Sequence, residues 1–123
     1  PVQRLALNLQ WRGSMVRLTI SLNPKPCNAK QVVAALRALS VATRLEPGCI
    51  ECLVWSEGGD GGTVHYEERW ASEAAIEARV KSDRFTKLLE LLESAPAPPE
   101  VRFDFVARQL GLDYVEAVRG THA

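Results

Sequence analysis

At residues 63–72 the chain reads TVHYEERWAS, and this stretch decides the fold because a strand runs directly into a capped helix. The β-branched and aromatic residues predict the strand, whose alternation places Tyr66, Glu68 and Trp70 on one face. Ser72 is expected to cap the helix, since its hydroxyl can accept a hydrogen bond from a free amide of the first turn. Such a junction is where a small α+β domain can build a pocket.

The composition predicts one domain with no nucleic-acid or membrane partner. A chain of 123 residues fits one hydrophobic core. Its 15 basic and 15 acidic residues cancel to a net charge of +0, so no field attracts nucleic acid or an anionic membrane. No apolar run approaches the roughly 20 residues that span a bilayer, and no secretory signal is recognisable, so we expect a cytoplasmic protein.

Three cysteines, Cys27, Cys49 and Cys52, form an odd set that predicts free thiols in a reducing compartment. Cys49 and Cys52 have the spacing of a redox motif. On a regular strand, however, residues three apart face opposite sides, so we expect the two sulfurs to diverge and the thiols to serve as packing residues. Two histidines and scattered cysteines give too few ligands for zinc, and we predict no metal site.

Periodicity along the chain predicts four core strands separated by helices. Residues 15–22 alternate as a first strand, and Asn28 is expected to cap a helix that reaches about Glu46 and is lined by Val32, Leu36 and Thr43. Strands are predicted at 49–56, at 63–71 and from 101 to about 107, and helical pieces at 72–81 and 83–95. The glycines of 57–62 are interpreted as a hairpin loop rather than a phosphate cradle, because no helix follows them.

This order, β-α-β-β-α-β, is that of a ferredoxin-like split βαβ fold, an α+β class in which helices cover one face of an antiparallel sheet. Apolar residues occupy both faces of the predicted strands, so the second face also needs a cover. A second copy is the simplest cover. We therefore expect a homodimer whose two sheets pack together as a dimeric α+β barrel.

Two segments lie outside the core domain, which spans residues 15–109. Residues 1–14 contain alternating apolar residues, which predict an extra strand at a free sheet edge. The tail, residues 110–123, contains Leu112, Tyr114, Val115 and Val118, and we expect it to dock at a sheet edge or on a second copy. Both segments are expected to tighten the dimer.

Four separated blocks of the chain resemble the antibiotic biosynthesis monooxygenase domain family. They are Glu46-Pro47-Gly48-Cys49, Glu68-Arg69-Trp70, Ser72-Glu73-Ala74-Ala75 and the pair Ser82 and Phe85, and the resemblance covers about residues 16–107. It implies a dimeric α+β barrel. It also implies oxygenation of quinol-like or polyketide aromatics without metal or flavin, although related members degrade haem and many have no known activity.

The resemblance suggests how such a site would work here. An electron-rich phenolate can pass an electron to oxygen itself, so the protein has to deprotonate it, hold it and exclude water. Trp70 and Tyr66 would supply an aromatic wall and a polar anchor, Phe85 would close the apolar side, and Glu68 or Arg79 would govern ionisation. The structural alternative is that Trp70 and Phe85 belong to the core and Tyr66 is a satisfied hydroxyl at an interface.

Departures from the family pattern limit the chemistry. Many members have histidine where this chain has Arg79 and Arg84, and haem-degrading relatives place an iron-ligating histidine where Leu89 stands. We therefore expect neither haem nor any other cofactor. His65 should face away from Trp70 as a surface or interface residue, and it would serve as a base only if the cleft lies on that side.

Three functions stay open from the sequence. The first is a cofactor-independent monooxygenase that acts on a quinol-like or polyketide-like aromatic, with the residues named above. The second is a non-catalytic dimeric barrel that binds a small aromatic molecule or has a structural role, which the missing histidines favour. The third is an isomerase or lyase on the same barrel, which needs a positioned base and an apolar pocket but no oxygen.

Overall fold

The computed structural model describes residues 15–58 and 62–120. The strand predicted within residues 1–14, the middle of the hairpin loop and His122 lie outside the described residues. Within them, the chain forms four strands, four α-helices and one short 3-10 turn. In chain order these are β1 (Val16–Leu22), the 3-10 turn (Pro26–Asn28), α1 (Ala29–Thr43), β2 (Cys49–Ser56), β3 (Val64–Trp70), α2 (Glu73–Val80), α3 (Asp83–Leu92), β4 (Glu100–Phe105) and α4 (Leu112–Arg119).

The four strands form one open sheet in the order β2-β3-β1-β4. Every neighbouring pair is antiparallel, and β1 lies between β3 and β4, with Val16 opposite both Trp70 and Phe105. This is the strand order of a ferredoxin-like fold, so the predicted architecture is confirmed. The order leaves β2 and β4 as the two edge strands.

The hydrophobic core lies between the sheet and the helices. Alternate residues of β1 and β3 are buried, in the pattern that the sequence predicts, and the buried stripe of α1 runs through Val32, Leu36 and Thr43. From α3, Phe85, Leu88 and Leu92 complete this layer. The alternate residues of the strands therefore pack against residues spaced three or four apart on the helices, and together they form one core layer.

The second face of the sheet is mostly polar, so the expectation of apolar residues on both faces holds only for β2. Among the residues with a register partner in the sheet, only Leu53 and Trp55 on β2 are large, apolar and directed away from the helices. Both remain more than a third exposed, as does Ile50 at the register shift. The other positions carry charged or hydroxyl side chains and a histidine, which are Arg17, Thr19, Ser21, Glu51, His65, Glu67, Arg69, Glu100, Arg102 and Asp104. Several of them form ion pairs across the strands, as Arg17 does with Asp104 at 3.4 Å.

The helix starts differ in how their free amides are satisfied. Ser72 accepts a hydrogen bond from the amide of Ala75 at 3.1 Å, and Ser82 accepts one from the amide of Phe85 at 3.2 Å, so both act as N-caps. Asn28 makes no such bond, contrary to the prediction. Its backbone is already helical because the 3-10 turn begins at Pro26, and a residue in that conformation cannot direct its side chain onto the following amides.

Gly48 lies in the loop between α1 and β2, and this loop packs against the first turn of α2. It has a positive φ of 87°, and an added Cβ would lie 2.6 Å from the Cβ of Ala75. Its carbonyl also accepts a hydrogen bond from the amide of Ala71 at 2.8 Å. Both the backbone conformation and the close approach to α2 therefore require glycine.

We predict that Gly48→Ala lowers the free energy of unfolding by about 2–4 kcal/mol, because left-handed backbone strain adds to overpacking against Ala75. Urea unfolding followed by far-UV circular dichroism measures the loss. Gly58→Ala is the matched control, since Gly58 also has a positive φ, of 74°, but an added Cβ would meet no atom of the described residues closer than 3.9 Å. Equal losses in the two variants would show that the contact with α2 contributes nothing.

Candidate functional site

Glu68 lies at the centre of the helix-covered face and is fully buried. One carboxylate oxygen accepts hydrogen bonds from Trp70 Nε1 at 2.8 Å and from Arg79 Nε at 3.1 Å. The other accepts from Arg79 Nη2 at 2.8 Å and from the hydroxyl of Tyr66. A carboxylate has about four acceptor positions, so these four donors saturate it.

Arg79 reaches this carboxylate from α2 and is only 2% exposed. Its Nη1 also donates to the Glu46 carboxylate at 3.2 Å, and its guanidinium carbon lies 5.3 Å from the centre of the Phe85 ring. Arg79 therefore links three other parts of the chain to α2. These are β3 through Glu68, the α1–β2 loop through Glu46, and α3 through Phe85. The cation faces two carboxylates and an aromatic face, each of which favours the charged form.

Burial and charge shift the pKa values of three side chains around Glu68. Burial, with the Glu68 carboxylate beside it, raises the pKa of Tyr66 far above its usual value. Burial raises the pKa of the Cys52 thiol to about 11. Burial alone would lower the pKa of Arg79, but its hydrogen bonds to Glu68 and the charge of that group outweigh burial and raise it. Tyr66 and Cys52 are therefore protonated, and Arg79 charged, at neutral pH.

The structure brings together all five side chains that the sequence analysis selects. Tyr66, Glu68, Trp70 and Arg79 share one hydrogen-bond network, and Phe85 packs against Arg79. All five are at most 5% exposed in this arrangement, and their polar atoms already bind one another. The geometry favours the structural alternative, and their substrate and catalytic roles stay predictions.

Cys49 and Cys52 lie on the same face of β2, which corrects the expected divergence. The pairing of β2 with β3 shifts register between Cys49 and Glu51, so that Cys49 lies opposite Trp70 and Cys52 opposite Glu68. An extra residue in a strand reverses the alternation after it, and the sequence does not reveal this bulge. Burial, followed by the charge of Glu68, raises the pKa of Cys49 as well, which keeps both thiols unreactive near neutral pH.

An apolar crevice of about 340 Å³ opens between α2 and β4. Its walls are Ile76 and Val80 on α2 and Phe103 and Phe105 on β4, with Glu77 and Lys81 at the rim. The helices do not cover β4, so Phe103 is 38% and Phe105 57% exposed, although their register neighbours on β1 are buried. The sequence analysis missed this site because alternation shows which face a residue is on but not whether a helix reaches that strand.

A polar cavity of about 510 Å³ lies toward the other face, between β1, β3 and β4, and includes His65, Ser21 and Arg102. His65 Nδ1 lies 3.0 Å from the Ser21 hydroxyl, its Nε2 lies 3.3 Å from the Glu57 carboxylate, and its ring stacks on Trp55. The imidazole is therefore on the side away from Trp70, as expected, and it does line a cavity.

The described residues show no group of three or more His, Cys, Asp or Glu side chains that could hold a metal ion. Among the described helices, none has the length and apolar character needed to cross a membrane.

The sequence profile of the family described as antibiotic biosynthesis monooxygenase matches residues 15–91. A protein from Mycobacterium tuberculosis is 24% identical, with a TM-score of 0.66 over 80% of this chain and 97% of that chain. A structure described as an antibiotic biosynthesis monooxygenase is 22% identical, with a TM-score of 0.64 over 78% and 99% of the two chains. A candidate monooxygenase of that name from Nitrosomonas europaea is 13% identical, with a TM-score of 0.68 over 80% and 96%. At these identities the structures show the shared fold alone. No curated protein matches the chain significantly.

We predict that Arg79→Met lowers the free energy of unfolding by about 3–5 kcal/mol, because the buried carboxyl group of Glu68 would lose its cation and two hydrogen bonds. Adding Glu68→Gln to that variant should restore part of the loss, since the remaining group is neutral. Chemical unfolding of the single and double variants measures both effects. Arg84→Met is the control, because Arg84 is 56% exposed and lies 3.9 Å from Glu46. A loss below about 1 kcal/mol in Arg79→Met would contradict a central role for the pair.

Proposed function

Because the chain belongs to the antibiotic biosynthesis monooxygenase family, we propose that it forms a homodimeric barrel which binds a small aromatic molecule in the crevice between α2 and β4. The observation that carries the proposal is the exposed pair Phe103 and Phe105, which lie on the helix-side face of the sheet beside α2. The network around Glu68 then holds α2 against the sheet and fixes one wall of the crevice.

The crevice suits an aromatic ligand in size and chemistry. Its volume of about 340 Å³ is near the lower end for small-molecule sites, which fits two or three fused rings rather than a large cofactor. Phe103 and Phe105 offer ring faces and edges for stacking, and Ile76 and Val80 offer aliphatic contact. Lys81 at the rim can attract a phenolate oxygen, and Glu77 can accept a hydrogen bond from a neutral hydroxyl.

The second face of the sheet supports the homodimer. Among the described residues, Arg17 Nε and Thr19 Oγ1 are buried there without a hydrogen-bond partner, and buried polar atoms of this kind normally find one. Leu53 and Trp55 on the same face are exposed apolar groups. A second copy packed on this face would supply both polar partners and apolar contact, in an interface more polar than a hydrophobic core.

We propose a cytoplasmic location as well. All three cysteines of the sequence are described, and each is a free thiol. Free thiols persist in a reducing compartment.

Cofactor-independent oxygenation is the second candidate function, and the wholly apolar walls of the crevice favour it. A dry site strengthens the electron donation of a bound phenolate and protects reactive oxygen species from water. An anthrone-like methylene would be oxidised to a carbonyl while O₂ is reduced. One oxygen atom enters the carbonyl, and the other takes up the two methylene hydrogens and leaves as water.

We predict that Val80→Glu raises the Kd for 1-naphthol at least about tenfold, because the carboxylate places charge on the apolar wall. Isothermal titration calorimetry of the folded variants measures the affinity. Val41→Glu is the matched control, since Val41 is also an exposed helical valine, on α1 and outside the crevice. Equal weakening in the two variants, or loss of binding in His65→Ala instead, would place the ligand elsewhere.

For the second candidate we predict oxygen consumption by metal-free protein with anthrone, above the rate without protein. Val80→Glu should abolish this excess because it removes the binding site, whereas Val41→Glu should retain it. An oxygen electrode measures the rate. Binding of 1-naphthol with no oxygen uptake above the background rate would reject oxygenation of anthrone-like substrates and leave binding as the function.

A further inference from the structure

Helix α4 is poorly covered by the rest of the described chain. None of its eight residues is buried. At 100° per residue, Tyr114, Val115 and Val118 share one side of the helix, while Leu112, Glu116 and Arg119 share the other. A single helix of this length is only marginally stable in water, so a docking surface is required to hold it.

The family profile matches residues 15–91, so α4 lies outside the matched residues. Its function therefore has to be inferred from its own residues. The crevice between α2 and β4 offers a matching surface for the apolar side of α4, because its walls are apolar.

We infer that α4 of one copy covers the crevice of a second copy in the dimer, so that each aromatic-binding site is built from both chains. This inference rests on the function proposed above. Tyr114, Val115 and Val118 would contact the ligand and the apolar walls. Glu116 and Arg119, on the other side of α4, would then face solvent.

The course of the chain after β4 points to the second copy rather than to its own crevice. The amide of Val106 still donates to the Met15 carbonyl at 2.8 Å, so the chain follows β1 to that residue. Residues 107–111 then form no helix or strand and lead to α4, which stays unburied. Since β4 is an edge strand, an arm that leaves it can pass around the sheet to a neighbour.

The reciprocal exchange of α4 between two copies also limits the number of chains in the assembly. Each copy presents both the helix and the crevice, so two reciprocal contacts satisfy both surfaces and close a twofold dimer.

The exchanged helix gives the site a polar group that its walls lack. Tyr114 is the one residue on the apolar side of α4 with a hydroxyl, and it would lie over a crevice whose walls are aliphatic and aromatic. A phenolic hydroxyl can donate to or accept from a ligand oxygen. Tyr114 of the second copy is therefore the group that selects a hydroxylated aromatic over a plain hydrocarbon.

Two single variants test whether α4 contributes to the site. We expect Val118→Glu to raise the Kd for 1-naphthol at least about tenfold, and Tyr114→Phe to weaken 1-naphthol while leaving naphthalene binding unchanged. Leu112→Glu is the control, because Leu112 is 72% exposed and lies on the charged side of α4. Native affinity in Val118→Glu would overturn the inference without affecting the proposed function, whereas absence of binding in the native protein would overturn both.

Mixing two inactive variants tests whether the helix acts on its own chain or on a second copy. Val80→Glu has a damaged crevice and Val118→Glu a damaged helix. The two variants are mixed in equal amounts, unfolded and refolded together, so that about half of the dimers contain one chain of each kind. If the helix acts on the second copy, each mixed dimer regains one intact site, and about one quarter of the native sites are restored. If the helix acts within its own chain, each site keeps one defect and no binding returns, which would overturn the exchange. Dimer content is measured in parallel by light scattering.

Discussion

The buried pair of Glu68 and Arg79 is the interaction on which the rest of the structure depends. It joins the middle of β3 to α2, and through Glu46 and Phe85 it also reaches the α1–β2 connection and α3. Removing two charges from water costs several kcal/mol, which only a complete set of hydrogen bonds can offset. The four donors around Glu68 provide that set. The same saturation explains why the most polar part of the interior is a poor place for chemistry, since every acceptor is already in use.

A pocket therefore forms where helical cover ends rather than where polar residues gather. The helices cover the inner strands β1 and β3, and β4 keeps its apolar side chains partly exposed beside α2. The fold is shared with structures of low sequence identity, and a shared fold does not transfer a substrate. The crevice walls, the rim charges and the helix that follows β4 are the features of this chain from which a ligand can be argued. Function in this family is best argued from those side chains.

Much of the fold could be predicted because its signals are local. Alternation identified β1 and β3, β2 has the predicted bounds, and Ser72 and Ser82 cap their helices as a serine before a helix usually does. The misses came from non-local or competing geometry. The 3-10 turn at Pro26 made Asn28 helical, and a register shift after Cys49 turned two thiols to one side. The five selected side chains do meet, but sequence cannot show that Arg79 satisfies Glu68 completely. The crevice depends on where helices end over a sheet, which no single segment encodes.

The register shift in β2 also bears on how the protein avoids aggregation. An edge strand exposes unpaired backbone groups that can recruit further strands from other molecules, and a bulge blunts such an edge by breaking its regular hydrogen-bond spacing. β2 has this irregularity near its start, while the pairing of β4 with β1 is regular over all six residues of that strand. The two edges of the sheet are therefore not equivalent templates. If both edge strands could pair equally well with strands of other molecules, the sheet could extend without limit. Because only β4 has a regular edge, pairing at that edge favours an assembly that stops growing once β4 is occupied.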